Sequence, residues 1–409
     1  MFALQDVGRF LRRHRRAVVI GGIAGVVIGG IVRARRAIDD AMAELADADN
    51  LRLRTSQRHL HLARVSRESD EALLRFVASL EAALESKFSG IPACVAAIKD
   101  MRSRRPTAPH MAPTSPSDAA SAPTPSHADQ EKELWDELKV ATFTKLAVAL
   151  LMMTLLQLTL MTQLHILGRH NFLNFKATAE EPGLTMAVRG SFLSLTYTHM
   201  LGDGLNQLAD AVKPVVRRVL SGCTLTTKLD CDATASLLRR VCDGVDSSAS
   251  PAADGARGRE EATTPLARFV VAPSQHLQGA SPAAQAMLDE TWDIVESPAF
   301  AAALTAALDR SLGVLKDQLA ISVFRGGPGL AQSPALTSPG PPSSAQQAVV
   351  LVSKPLPSVL VQLKPSKTVL AVEGQRSVHA DATVNLPEVQ ALMSAVFDSV
   401  PGDLGALDS

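Results

Sequence analysis

"EKELWDELKVATFTKLAVALLMMTLLQLTLMTQLHIL", Glu131 to Leu167, decides how this chain folds. Its second half, Leu146 to Leu167, is 22 residues without a charge. That length crosses a bilayer as one helix. Yet Thr154, Gln157, Thr159, Thr162, Gln163 and His165 interrupt the apolar run, and no basic cluster closes it on the N-terminal side. A helix that is apolar nearly all round also suits the centre of a bundle, where neighbours cover every face. The polar residues favour the buried bundle helix, with a second membrane span as the alternative.

The flanking blocks read as further helices. Ser297 is a natural N-cap and Pro298 fits the first helical position, where its missing N–H costs nothing. From there Phe300, Leu304, Leu308, Leu312, Leu315 and Leu319 recur at steps of three and four, one apolar stripe. After Asn385 the same pattern places Val389, Leu392, Met393, Val396 and Phe397 on one face. Ala37 to Phe88, charged and nearly free of Gly and Pro, predicts one or two amphipathic helices. Pro/Ser/Ala-rich stretches near 104–130, 243–265 and 325–347 have the composition of disordered loops. Ala348–Val352 and Val369–Val372 suit short strands or extended loop. The expected fold class is all-α: a single, elongated helical bundle occupying 37–409.

Residues 1–36 have a different character. Sixteen uncharged residues, Ala17 to Val32, follow Arg9, Arg12, Arg13, Arg15 and Arg16 and run straight into Arg33, Arg35 and Arg36. A cleaved secretory signal needs a small-residue cleavage site without strong charge beyond its core, and a mitochondrial presequence lacks a long apolar block. As a helix the block rises roughly 24 Å against a hydrocarbon core of about 30 Å. That is short, but flanking arginines can snorkel to the interface. The reading is an uncleaved N-terminal membrane anchor, with Arg12, Arg13, Arg15 and Arg16 facing an anionic lipid surface.

Composition narrows the function. Lys plus Arg equals Asp plus Glu at 41 each, and aromatics are 4% of residues, so neither global charge nor a stacking platform points to nucleic acid. Cys94, Cys223, Cys231 and Cys242 show no CxxC and no partnered His, which favours reduced thiols over zinc or disulfides. His59 and His61 form an HxH with no further ligands nearby. "LGDGL", Leu201 to Leu205, lacks the lysine and Ser/Thr of a phosphate loop and reads as a break or close-packing point. No catalytic motif, metal set or cofactor fingerprint emerges, and elimination leaves binding. Trp135 then stands out, because with Leu134 and Leu138 it makes an apolar edge on the charged turn "EKELWDELK". It suits an interface anchor for an amphipathic helix or ordinary core equally well.

Several blocks resemble the peroxin-3 family. "LWDELKVATFTK" (Leu134 to Lys145) running into "TQLHILG" (Thr162 to Gly168) is similar to that family's central helix. "HMLGDGLNQL" (His199 to Leu208) and "LDETWDIVESPAF" (Leu288 to Phe300) resemble two further family elements. "FLRRHRR" (Phe10 to Arg16) ahead of the Gly-rich apolar block resembles the family's start. The resemblance implies an all-α bundle facing the cytosol, tethered to the peroxisomal membrane by an N-terminal segment that is targeting signal and anchor in one. It implies Leu146 to Leu167 as a buried bundle helix, and no catalysis, cofactor or metal. It further implies docking of peroxin-19, the chaperone that delivers peroxisomal membrane proteins as cargo, whose N-terminal amphipathic helix enters an apolar groove. The groove tryptophan falls on Trp135 and its leucine neighbour on Leu138, beside Leu134. Four residues ahead, where the family carries lysine, stands Glu131, with Lys132 one step on. The second wall falls on "ACVAAIK", with Val95 and Ile98 as members. The rival readings are a two-span protein, or a tether of another organelle that does not bind peroxin-19.

Overall fold

The computed structural model describes residues 60, 64–65, 67–103, 127–176, 184–249, 266–270, 281–325, 351–374 and 376–399. The chain divides into Met1–Arg64 and Val65–Ser409. The anchor reading, including Arg12, Arg13, Arg15 and Arg16, and the His59/His61 pair lie outside the described residues.

Within the second unit the described elements, in chain order, are α1 (67–87), α2 (Gly90–Ser103), α3 (His127–Lys176), α4 (Met186–His199), α5 (Leu205–Val219), β1 (Lys228–Leu229), α6 (Cys231–Ala249), α7 (Pro282–Glu296), α8 (Pro298–Ser322), β2 (Lys354–Pro355), α9 (Leu356–Gln362), β3 (Val372–Glu373), β4 (Arg376–Ser377), α10 (Val378–Thr383) and α11 (Pro387–Asp398). The class is all-α. Its sheets are two antiparallel pairs, β1 with β2 and β3 with β4, the second joined through Gly374 at φ 64°. Of the two candidate strand segments, Leu351 makes an isolated bridge to Arg325 and Val372 opens β3, while Val369 and Leu370 are buried in a turn. α6 continues to Ala249, so the helix reaches into the loop expected at 243–265. α3 begins at His127, inside the stretch expected as linker.

α3 is the axis of the bundle. It is 50 residues long, and α2, α4, α5, α6, α7, α8, α9, α10 and α11 all pack on it. Among the described residues it alone is long and apolar enough to cross a membrane, yet its most apolar stretch is wholly inside the protein. Its polar residues explain why. Thr154 donates to the Leu150 carbonyl at 3.0 Å and Thr162 to Leu158 at 2.9 Å, each bonding back along the helix. Gln157 donates to the Ala380 carbonyl at 3.0 Å and accepts from Thr383 at 2.8 Å. Gln163 donates to the Thr196 hydroxyl at 2.7 Å, and a His165 ring nitrogen lies 2.7 Å from the Met161 carbonyl. Most groups that would be costly in lipid are thus hydrogen-bonded to α4 and α10 or to the helix itself, while the buried Thr159 hydroxyl and the Gln163 side-chain oxygen have no partner among the described residues.

Local chemistry starts the other helices as expected. Ser297 caps α8, accepting from Phe300 N at 3.2 Å with Pro298 next, and the stripe from Phe300 to Leu319 is buried. α11 buries Val389, Leu392, Met393, Val396 and Phe397. "MLGDG", Met200–Gly204, is a π-helical turn that joins α4 to α5 without a break. Of its two glycines only Gly204 packs closely: a Cβ there would stand 2.3 Å from the Phe269 carbonyl oxygen, whereas one at Gly202 meets nothing within 4 Å. The glycine-rich element is therefore a close-packing point and not a break.

Candidate functional site

The N-terminal turns of α3 carry Lys132, Leu134, Trp135 and Leu138, and α2 carries Val95 and Ile98. Only some of them come together. α2, α3 and α5 enclose a groove of about 560 Å³, with Leu134 and Leu138 on its α3 wall. α2 and the turn before it supply Phe88, Ile91 and Cys94, and α5 closes the third side with Ala209 and Lys213. The Cys94 thiol donates to the Leu134 carbonyl at 3.3 Å, tying two walls together. Burial, reinforced by Glu137, raises its pKa, so the thiol stays protonated and serves as a small apolar surface. At one end Lys87 and Asp210 form an ion pair at 3.2 Å.

Trp135 is buried, 5% exposed, between α2 and α3 behind the groove and does not line it. Arg102 of α2 stands over its ring at 5.1 Å and binds Glu131 at 2.9 Å, while the indole N–H donates to the same carboxylate at 3.4 Å. Glu131 thus fastens the end of α2 to α3 across the indole. Ile98 is buried in the same core cluster, and Val95 is half-buried against it. Lys132 is exposed and faces a neighbouring hollow. Reading the sequence missed Ile91, Phe88 and the α5 wall. The usable signal was α5's amphipathic pattern, which turns Leu208, Val212, Val215 and Val216 inward and leaves Lys213 and Arg217 exposed.

All four cysteines are free. His199 places Nε2 3.5 Å from the Arg268 carbonyl. Among the described residues no group of His, Cys, Asp and Glu gathers in a metal-holding arrangement.

An all-helical bundle around one buried axial helix, with an apolar interhelical groove at the start of that helix, is the class of fold and site the chain presents. A family model described as Peroxin-3 matches residues 93–183 and 175–399. The chain belongs to the Peroxin-3 family. It is 24% identical over 333 residues to the human protein named peroxisomal biogenesis factor 3, covering 78% of this chain and 79% of that one. The mouse protein of the same name gives 24% over 330 residues, with the same coverage. A shorter match of 131 residues, 30% identical, reaches the Arabidopsis thaliana peroxisome biogenesis protein 3-1, over 30% of this chain and 36% of that one. Family membership carries a role in peroxisome biogenesis and membrane protein import, at the peroxisomal membrane.

Proposed function

We propose that the chain is the docking receptor for peroxin-19 at the peroxisomal membrane, and that the groove between α2, α3 and α5 receives the N-terminal amphipathic helix of that chaperone. Residues 1–36 anchor the chain, Arg12, Arg13, Arg15 and Arg16 meet anionic headgroups, and the bundle faces the cytosol. A loaded peroxin-19 docks, and its cargo's membrane segment is released beside the bilayer. No step requires catalysis or a cofactor.

One observation carries this reading: the groove lies against Leu134 and Leu138, in the block of sequence that most resembles the family's receptor helix. Leu134 and Ile91, half-buried, retain apolar surface for a visitor to cover. Each Å² of apolar surface removed from water contributes about 25 cal/mol, so a few leucine-sized contacts supply several kcal/mol. Trp135 and Ile98 act from behind, holding the α2 and α3 walls at their spacing. A charge at half-buried Leu134 tests the groove without opening the core. Leu134→Glu weakens binding of a peroxin-19 N-terminal peptide at least roughly tenfold, about 1.4 kcal/mol, with thermal stability unchanged. Undiminished binding in that variant refutes the groove as the site.

A further inference from the structure

We propose that the groove has a second, charged half that takes an acidic continuation of the same visiting chain; this rests on the docking reading above. A hollow of about 940 Å³ adjoins the apolar groove and shares Glu137, Ala141 and Lys213 with it. Along α5 the two follow one another, from Ala209 past Lys213 to Arg217, while along α3 they lie side by side, over Leu134 to Thr144 and over Lys132 to Ala141.

The second half is built around a fixed floor. Lys139, its side chain 8% exposed, donates to Asp136 at 2.8 Å and to the Cys223 carbonyl at 3.0 Å. This pins the loop 221–226 to α3 and neutralises Asp136. What remains without a partner is cationic on the α5 wall. Lys213 and Arg217, one helical turn apart on α5, are exposed and have no hydrogen bond or ion pair among the described residues, and the same holds for Lys132. Against these three cations the hollow sets two exposed acids, Glu133 and Glu137, both on the α3 wall. The α5 wall of this half carries cations alone, at the spacing of one helical turn. A chain leaving the apolar half with carboxylates toward α5 meets Lys213 and then Arg217; a basic chain so directed meets two like charges. Exposed pairs of this kind are individually weak and screened by salt, so the effect depends on several carboxylates together. They also fix the direction in which a helix lies in the groove.

The test uses the full chain in non-ionic detergent and the peroxin-19 N-terminal peptide in three forms: unextended, extended by four glutamates, and extended by four serines, each at either end. At low salt the glutamate extension at one end tightens binding at least threefold over the serine extension. The gain vanishes near 0.5 M salt, where the screening length falls to about 4 Å, and in Arg217→Glu combined with Lys132→Glu. Equal affinities of glutamate and serine forms at both ends, or a gain that survives the double variant, overturns the charged half alone. Failure of the unextended peptide to bind overturns both readings.

Discussion

Leu134 and Trp135 are neighbours in sequence with opposite duties. Leu134 keeps apolar surface in the groove, whereas Trp135 is enclosed by Arg102 and Glu131. Trp135→Ala therefore acts first on stability. It lowers the unfolding free energy by about 3–5 kcal/mol, measurable by denaturant titration, while Trp135→Phe retains most of it. His379, 2% exposed beside α8, is a second residue whose effect is readable on its own. Burial lowers its pKa to about 4, the nearby Thr368 backbone opposing in part. The unfolded chain takes up this proton near the ordinary value of about 6.5, whereas the folded chain refuses it until about pH 4. Stability from this group is thus complete above pH 6.5 and is lost as pH falls toward 4, on the order of 3 kcal/mol. His379→Leu flattens that part of the stability profile; an unchanged slope between pH 6.5 and 4 refutes the assignment.

At the scale of elements, two joints hold the helices in register. The π-helical turn before α5 lets Gly204 approach the Phe269 carbonyl, a contact that no Cβ tolerates without backbone movement. Gly204→Ala therefore lowers the melting temperature by several degrees, whereas Gly202→Ala, two residues away in open space, leaves it unchanged or raises it. Equal effects at the two positions contradict this packing. The second joint is the cluster of Arg169 with Glu290, which links α3 to α7, while Arg169 also donates to the Val396 carbonyl of α11 at 3.0 Å. Burial raises the Glu290 carboxyl, but His170 and Arg169 outweigh it and hold it below its usual range. Its contribution is present above the ordinary carboxylate pKa and fades as pH falls through the lowered one. Glu290→Gln leaves the Arg169 guanidinium buried without its counter-charge and costs roughly 3–5 kcal/mol, read by the same denaturant titration. These elements also show what was legible in the sequence. Ser297, Pro298 and the stripe from Phe300 to Leu319 are local chemistry, so caps and periodicity reveal them. Trp135's enclosure depends on Arg102 from the far side of the 104–126 segment, and the third groove wall on α5, which follows much later in the chain. Local patterns carry no record of such partners.

For the whole molecule, the decisive feature is that the most apolar helix is inside and hydrogen-bonded through its polar residues. The bundle therefore needs no lipid around α3. A chain beginning at residue 37 is expected to be soluble and helical without detergent, by circular dichroism and sedimentation; aggregation that only detergent reverses supports a second span instead. The resemblance in the blocks around Trp135, Gly204 and Ser297 made the family and the class of fold legible, because these residues sit at the axial helix and at joints where substitution is costly. The charged hollow lay beyond it, since Lys132, Lys213 and Arg217 are surface residues brought side by side only by the crossing of α3 and α5. Whether the groove receives a helix from peroxin-19 is decided by calorimetric titration of the bundle with the peroxin-19 N-terminal peptide, in wild type and Leu134→Glu. Saturable one-to-one binding that weakens at least roughly tenfold in the variant is the expected result; no saturable binding, or equal affinity in the two proteins, rules the groove out as the docking site.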